Sequence, residues 1–455
     1  MSTSGKARKG LPYIDPAEFT PHFAWRNSKR GPGRAVFCDA VPLDQIAERF
    51  GTPTYVYSES AIRDSFNELK LGLGAVPHLL CFAVKANGNL SILNLLAKLG
   101  SGFDIVSGGE LEHLGHIRVP GNRIVFSGVG KTREEVRSAL SYRAERSAAP
   151  GILQFNVESP AELELLLEEA SRRKRSSHAI PGVSVRVNPD VAAGGHPHIS
   201  TGLSHHKFGV SWTDARALYL QHCRSRFIRW QGISAHIGSQ IVDLAPFREA
   251  LSRLAGYLTE LRQLGVALQY LDFGGGLGVR YTNENSVPRT EYARMVAKTV
   301  QSLGIGLLLE PGRSIIASSA VLLARVLFRK DNSLKSFIIL DAAMNDFARP
   351  VLYDAPHPIT LVRAAAKTPR TARQRVDIVG PVCESGDTFL YDWPLGDGHP
   401  GDVAAIWGAG AYGMVQASNY NGRGRPAEVF VKGKTVRLIR RRETQADVLR
   451  TDVLA

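Results

Sequence analysis

Between residues 53 and 320 the chain repeats one pattern eight times: a short apolar or β-branched run, then an amphipathic stretch with apolar residues at helical spacing. The runs fall at 79–84, 103–106, 123–127, 152–157, 182–187, 230–235, 269–273 and 305–310. Strands that alternate with helices pair in parallel, and eight such units predict a closed (β/α)8 barrel. Helix signals agree with the pattern. Ser159-Pro160-Ala161-Glu162 offers an N-cap, a proline at the first helical position and a reciprocal glutamate. Ser91 is placed to cap a helix carrying Leu95, Leu96 and Leu99 and stopped by Gly100. Phe247, Ala250, Leu251, Leu254, Leu258 and Leu261 form a stripe that ends at Gly265 and reads as core packing.

A barrel of this kind carries its chemistry at the C-terminal ends of the strands. The unusual residues lie there. Lys85 follows strand one, Asp104 and Ser107 strand two, Ser127 and Gly128 strand three, and Arg186 to Asn188 strand five. His236 and Ser239 follow strand six, Gly274-Gly275-Gly276 strand seven, and Glu310-Pro311-Gly312-Arg313 strand eight. A lysine after a buried strand either snorkels into solvent or serves as an amine nucleophile. The glycine run is either a tight turn or a cradle in which backbone amides close on phosphate oxygens. A dinucleotide fingerprint is excluded, because Val279 stands where the third glycine or alanine belongs. Together, a nucleophilic lysine, a phosphate cradle and a carboxylate at one barrel mouth match the aldehyde, phosphate and ring nitrogen of pyridoxal phosphate.

Beyond residue 320 the alternation stops. Residues 321–328, 336–340, 376–379, 403–407 and 428–431 read as short strands of a second, mostly β domain. Before residue 35 the chain is rich in Gly, Pro, Arg and Ser and is expected to be an arm with little regular structure. A chain of 455 residues accommodates both domains. The net charge of +14 is scattered over short clusters such as Lys6 to Lys9, Arg172 to Arg175 and Arg440 to Arg442, without interleaved aromatics, so no specific nucleic-acid partner is expected. No apolar run reaches the ~20 residues of a membrane span, and the polar start shows no signal peptide. Cys38, Cys81, Cys223 and Cys383 are widely spaced, which predicts neither a disulfide framework nor a zinc site and fits the cytoplasm. His196, His198, His205 and His206 cluster without the spacing of a ligand set, and no metal is expected.

The motifs Phe82-Ala83-Val84-Lys85-Ala86-Asn87, Phe103 to Leu111, His236-Ile237-Gly238-Ser239-Gln240, Asp272 to Gly278 and Glu310 to Arg313 occur in order. Met344-Asn345-Asp346, Arg349-Pro350, Cys383-Glu384-Ser385-Gly386-Asp387, Gly410-Ala411-Tyr412 and Asn419-Tyr420-Asn421 follow them. In these motifs, from about residue 40 to 431, the chain resembles the diaminopimelate decarboxylases, in the alanine-racemase-like barrel class of pyridoxal-phosphate enzymes. The resemblance implies that Lys85 binds the cofactor aldehyde, His236 stacks on its ring and Glu310 keeps the ring nitrogen protonated. Gly274, Gly275, Gly276, Ser239 and Tyr412 would hold the phosphate, with Pro311, Gly312 and Arg313 in the same cofactor-binding set.

It also implies a homodimer in which Cys383 and Glu384 reach the partner's barrel, Cys383 returning a proton to the product. Residue by residue, Cys383 alone also fits a plain buried cysteine, and Arg349 a surface ion-pair partner. The implied substrate is meso-2,6-diaminopimelate, giving L-lysine and carbon dioxide, with Glu384 meeting the distal ammonium and Arg313, Arg349, Tyr353 and Tyr412 the carboxylates. The alternatives are an ornithine, arginine or carboxynorspermidine decarboxylase, and a non-catalytic homologue. A racemase is disfavoured by the strong electron sink that Glu310 makes. The expected division is an arm at 1–34, a segment at 35–57 that joins the β domain, the barrel at 58–318 and the β domain at 319–455.

Overall fold

All eight expected runs are strands of one closed parallel barrel in the computed structural model, which describes residues 8–11, 15–28, 33–145, 149–173, 180–192, 207–364, 374–395 and 397–454. The strands are His78–Ala83, Gly102–Ile105, Ile124–Phe126, Gln154–Val157, Gly182–Arg186, Arg229–Ser234, Tyr270–Asp272 and Gly306–Leu309. Leu307 lies opposite His78 in the register that closes the barrel. The histidine cluster at 196–206 lies outside the described residues, as do Lys6, Ala7, Lys174 and Arg175.

The strands alternate in chemistry as well as in direction. Phe103, Ile105, Phe155, Val157, Val183 and Val185 are buried, and so are the polar residues between them, Asp104, Asn156 and Ser184. Successive side chains of a strand face opposite sides of the sheet. The apolar set therefore shares one face and the polar set the other. Asn156 Nδ2 donates to Asp272 Oδ2 at 2.8 Å, and these residues stand on or at the ends of the fourth and seventh strands, which are not neighbours. Such a bond crosses the interior, so the polar face lines the barrel.

Helix starts differ from expectation in two details. Asn89, not Ser91, caps Leu90–Lys98, accepting the Ser91 N–H, because Asx side chains reach the amide two residues on. Ser159 does cap Pro160–Ser171, but Glu162 does not return a bond to the Ser159 amide. Its two oxygens are taken by Lys131 and by the Glu158 N–H. In Ala245–Gln263 all six residues of the predicted stripe are buried.

The chain forms two compact units. The barrel comprises Ser65–Gly278 and Ser286–Ser314, and the other unit Met1–Asp64, Val279–Asn285 and Ile315–Ala455. The second unit is built on a nine-stranded sheet around the long strand Ala320–Asp331, which pairs with Thr54–Ser58, Ser336–Leu340 and Val403–Trp407. Thr54–Ser58 also pairs in parallel with Ala427–Lys432, so the N-terminal segment joins the β domain. The region before residue 35 contributes Phe23–Asn27, antiparallel to Arg34–Cys38. Phe23, Val36, Leu43, Val56, Val321, Trp407 and Val429 share its core. Among the described residues no helix is long and apolar enough to cross a membrane.

Candidate active site

Lys85 sits in a single 3-10 turn, Val84–Ala86, immediately after the first barrel strand. Its Nζ donates to Asp104 Oδ2 at 2.8 Å, and its side chain is 38% exposed while that of Asp104 is fully buried. The amine is thus tied inward rather than extended into solvent. Glu310 follows the last strand and is buried. Ser127 Oγ and Asn156 Nδ2 both approach its Oε1, at 3.2 and 3.3 Å.

Asn156 is the hub of this interior. It accepts from Gln154 Nε2 at 2.7 Å and donates toward Asp272, Glu310 and Ser127. Three carboxylates, Asp104, Asp272 and Glu310, therefore share one desolvated space. Burial pushes Asp272 up to about 6, and burial followed by repulsion from Asp104 and Asp272 holds Glu310 well above the usual carboxyl range. Glu310 is thereby biased toward its protonated form.

His236 follows the sixth strand, and its Nδ1 accepts the Gly275 N–H at 3.0 Å. With Nδ1 an acceptor, the proton of the neutral ring resides on Nε2. Burial, reinforced by the positive charges of Arg186 and Lys85, keeps this imidazole well below its ordinary pKa. Arg186 is fixed in turn: Nη1 donates to Glu158 Oε1 at 3.0 Å and the guanidinium lies over the Phe208 ring, 4.8 Å from its centroid. Glu158 also accepts the N–H groups of Gly128 and Gly209, so one buried carboxylate joins three loops of the barrel mouth.

The triple glycine has no room for side chains. A Cβ on Gly274 would lie 2.6 Å from the Ala235 carbonyl oxygen, on Gly275 2.4 Å from that of Glu310, and on Gly276 2.5 Å from that of Gly238. Gly274 and Gly276 also have φ of +62° and +102°. Arg313 Nη2 donates to Ser239 Oγ at 3.0 Å, which brings the residues after strands six and eight together beside this cradle. Pro311 accepts the Ala83 N–H at 3.2 Å, and Gly312 is buried next to it.

The remaining predicted residues lie in the β unit, in two groups. Arg349, in the short helix Arg349–Tyr353, is buried, and its guanidinium lies 5.5 to 6.0 Å from the ring centroids of Tyr281, Tyr353 and Tyr412. It is not a surface ion-pair partner. Tyr353 Oη accepts from Gln416 Nε2 at 3.1 Å. Cys383 and Glu384 are exposed, so Cys383 is not a plain core cysteine in the single chain. Their loop is pinned by buried Asp387, which accepts the N–H groups of Met344 and Val382, and Tyr420 Oη donates to Glu384 Oε1.

Asn156 and Glu158 in the barrel, and His357 and Tyr281 in the β unit, are not singled out from sequence, while Asp104, Arg186 and Asp272 are marked there only as strand-end or motif residues without a role. For Asn156 the available signal was a polar residue alternating with apolar ones inside a buried parallel strand, where a continuous apolar run is usual.

A (β/α)8 barrel with a lysine and a buried glutamate at its mouth defines the class of barrel pyridoxal-phosphate enzymes. The family model for "Pyridoxal-dependent decarboxylase, pyridoxal binding domain" matches residues 59–317. The chain is 46% identical over 409 residues to the diaminopimelate decarboxylase of Pseudomonas aeruginosa, covering 90% of this chain and 94% of that one. Among solved structures it resembles Helicobacter pylori diaminopimelate decarboxylase complexed with L-lysine, with a TM-score of 0.82 and 41% identity, covering 90% of this chain and 98% of the other. It also resembles the M. jannaschii enzyme in co-complex with L-lysine, with a TM-score of 0.85 and 35% identity, covering 96% and 98%. The chain belongs to the diaminopimelate decarboxylase family, is a pyridoxal-phosphate-dependent amino-acid decarboxylase, and takes pyridoxal 5'-phosphate as its cofactor.

The residues fit that cofactor. The backbone at 274–276 is bare where any Cβ would clash, as a phosphate cradle requires. Asp104 Oδ1 is buried with no hydrogen-bond partner among the described residues, beside an amine that would bind the aldehyde. Glu310 offers a buried carboxyl, suited to a pyridine nitrogen, after the last strand.

Proposed function

We propose that the chain decarboxylates meso-2,6-diaminopimelate to L-lysine and carbon dioxide, the last step of lysine formation. The observation that carries this reading is the buried guanidinium of Arg349 among three tyrosine rings, a site for a second carboxylate that ornithine and the cationic polyamine precursors do not possess. The names of the relatives, and the L-lysine bound in two of them, support it.

When bound, pyridoxal phosphate supplies an aldehyde for the amine and a ring that accepts the electron pair left as carbon dioxide departs. In our reading Lys85 Nζ would bind the aldehyde, and Asp104, bonded to that amine at 2.8 Å, would hold it as an ammonium when it is free. Glu310 would hold the ring nitrogen protonated, and His236 would lie against the ring, its Nδ1 kept in place by the Gly275 N–H. Gly274 to Gly276, Ser239, Arg313 and Tyr412 hold the phosphate. Arg313, Arg349, Tyr353 and Tyr412 meet the substrate carboxylates and Glu384 its distal ammonium. Cys383 Sγ delivers the proton that replaces the lost carboxylate.

We further propose a homodimer with shared sites, in which each Cys383–Glu384 loop completes the partner's barrel; exposure of that loop on the single chain supports this. The four cysteines, all without a disulfide, fit a reducing cytoplasm. The test is carbon dioxide release from a panel of diaminopimelate, ornithine, arginine and carboxynorspermidine by the purified holoenzyme. A site that pairs polar groups rejects analogues lacking them by roughly 10⁴-fold. Turnover of ornithine or arginine as fast as that of diaminopimelate would replace this reading with the polyamine one.

A further inference from the structure

The geometry points to His357 as a positioning residue for Arg349, a neutral imidazole that fixes the guanidinium plane for the carboxylate of the substrate. The inference rests on the proposed role of Arg349 and adds the residue through which that role is set.

His357 is 1% exposed and stands just before the strand Ile359–Leu361. That strand pairs antiparallel with Val403–Trp407, and Trp407 N donates to Pro358 O at 3.0 Å. His357 Nδ1 lies 2.8 Å from Trp407 O. A carbonyl oxygen only accepts, so Nδ1 carries the proton and Nε2 presents a lone pair. Arg349 Nε donates to that lone pair at 3.1 Å. The tautomer is therefore imposed by the backbone of the sheet rather than chosen by solvent, and the sheet fixes where the acceptor stands.

The ring itself is clamped. Tyr281 and Phe347 meet it edge to face, with centroids at 4.9 and 4.6 Å. A Cβ on Gly408 would lie 2.9 Å from Tyr281 and 3.6 Å from His357 Nδ1, so the surroundings leave no slack. Tyr281 touches both members, lying against His357 and under Arg349. Arginine owes its value in carboxylate recognition to a planar fork whose orientation matters, and a neutral acceptor on Nε sets that plane without consuming the positive charge. A carboxylate in the same place would neutralise the guanidinium and compete with substrate.

Three substitutions separate the two ends of the imidazole. His357→Leu removes both bonds, His357→Asn keeps a donor near the Trp407 carbonyl while losing reach to Arg349, and His357→Gln reaches Arg349 with an acceptor. In steady-state assays with diaminopimelate, we expect KM to rise about 10-fold to 100-fold in the Leu and Asn variants, the scale of one misplaced charge-assisted hydrogen bond, with kcat within about 3-fold. The Gln variant should recover most of the loss. Arg349→Ala is the reference arm and should raise KM at least as far. The cofactor absorbance spectrum and circular dichroism should not move, since the role assigned to His357 is to hold Arg349 and not the cofactor. An unchanged KM in His357→Asn beside a raised KM in Arg349→Ala overturns the positioning role alone. An unchanged KM in Arg349→Ala overturns the substrate reading, and the inference with it. Should the Leu variant fail to fold, the Asn and Gln variants carry the comparison, and equal KM values in those two refute it.

Discussion

Replacing Lys131 by methionine tests whether the buried charges behind the barrel mouth hold the site in shape. The Lys131 side chain is 1% exposed, and its Nζ donates to Gly128 O at 2.7 Å, Asn156 O at 2.8 Å and Glu162 Oε1 at 2.6 Å. Methionine matches the stem but removes all three donors and leaves a buried carboxylate alone. Removing one partner of a buried pair costs about 3–5 kcal/mol, because the other charge stays desolvated. Burial already raises the Glu162 pKa and Lys131 opposes that rise, so without the lysine Glu162 takes up a proton on folding. The sign follows. A folded pKa further above the unfolded value makes the native state bind more protons, so the variant loses stability as pH rises, by at most about 1.4 kcal/mol per unit. Near pH 5 the penalty should be smaller than at pH 8.

The double variant Lys131→Met/Glu162→Gln buries no charge, and its amide can still accept the Glu158 N–H and donate to a freed carbonyl. We expect it to recover about 2 kcal/mol of the single variant's loss. Denaturant unfolding of the holoenzyme, with circular dichroism and cofactor absorbance followed together and the barrel transition fitted separately, reads both quantities. A loss below about 1 kcal/mol in the single variant, or a double variant no better than the single one, would refute the reasoning.

Three further outcomes are expected. Borohydride treatment of the holoenzyme should fix the cofactor on the peptide containing Lys85, and Lys85→Ala should lose about 10³-fold or more in kcat while remaining folded; an adduct on another lysine would reassign the nucleophile. Mixing inactive Lys85→Ala and Cys383→Ala chains should restore activity, up to about a quarter of wild type if subunits exchange at random, and no recovery after verified exchange would mean self-contained sites. Glu110 is raised to about 7, first by burial, so between about pH 4.5 and 7 the folded chain retains a proton that the unfolded chain releases, and stability declines as pH rises. Glu110→Gln should flatten that slope in melting curves taken across this range, and an unaltered slope would locate the titration elsewhere.

How much of this was legible in the sequence depends on which physical signal each element carries. The barrel strands were read to within two residues at each end, since buried parallel strands are apolar runs bounded by polar turns. Ser336–Leu340, Val376–Val379 and Val403–Trp407 were read in full because they too are short apolar runs between turns, although each has an antiparallel partner. Thr435–Arg440 escaped because it is exposed along most of its length and Arg437 and Arg440 break any apolar pattern. Thr388–Trp393 was missed where Asp392, at φ +51°, interrupts the alternation. Of the site, the residues that terminate strands were visible, because position alone marks them. His357 was not: nothing local distinguishes a histidine whose partners, Arg349 and Trp407, come from other elements.

The charge arrangement explains why the interior polar residues matter as much as those named first. Asp104, Asp272 and Glu310 place three carboxyl groups in one desolvated volume, faced by the cations Lys85 and Arg186. Like charges so desolvated disfavour full ionisation, and burial together with both neighbouring carboxylates biases Glu310 toward its protonated form. Asn156 biases the choice, since its stronger bond, at 2.8 Å, stabilises ionised Asp272, while its 3.3 Å approach to Glu310 is weak. Burial lowers the His236 pKa first, and the same cations that limit the rise at Glu310 lower it further, so the imidazole is held toward its neutral form. Arg186 can do this only if it stays in place. That gives Glu158, which bonds none of these groups itself, a hold on them through Arg186, with its bonds to Gly128 and Gly209 fixing its own place.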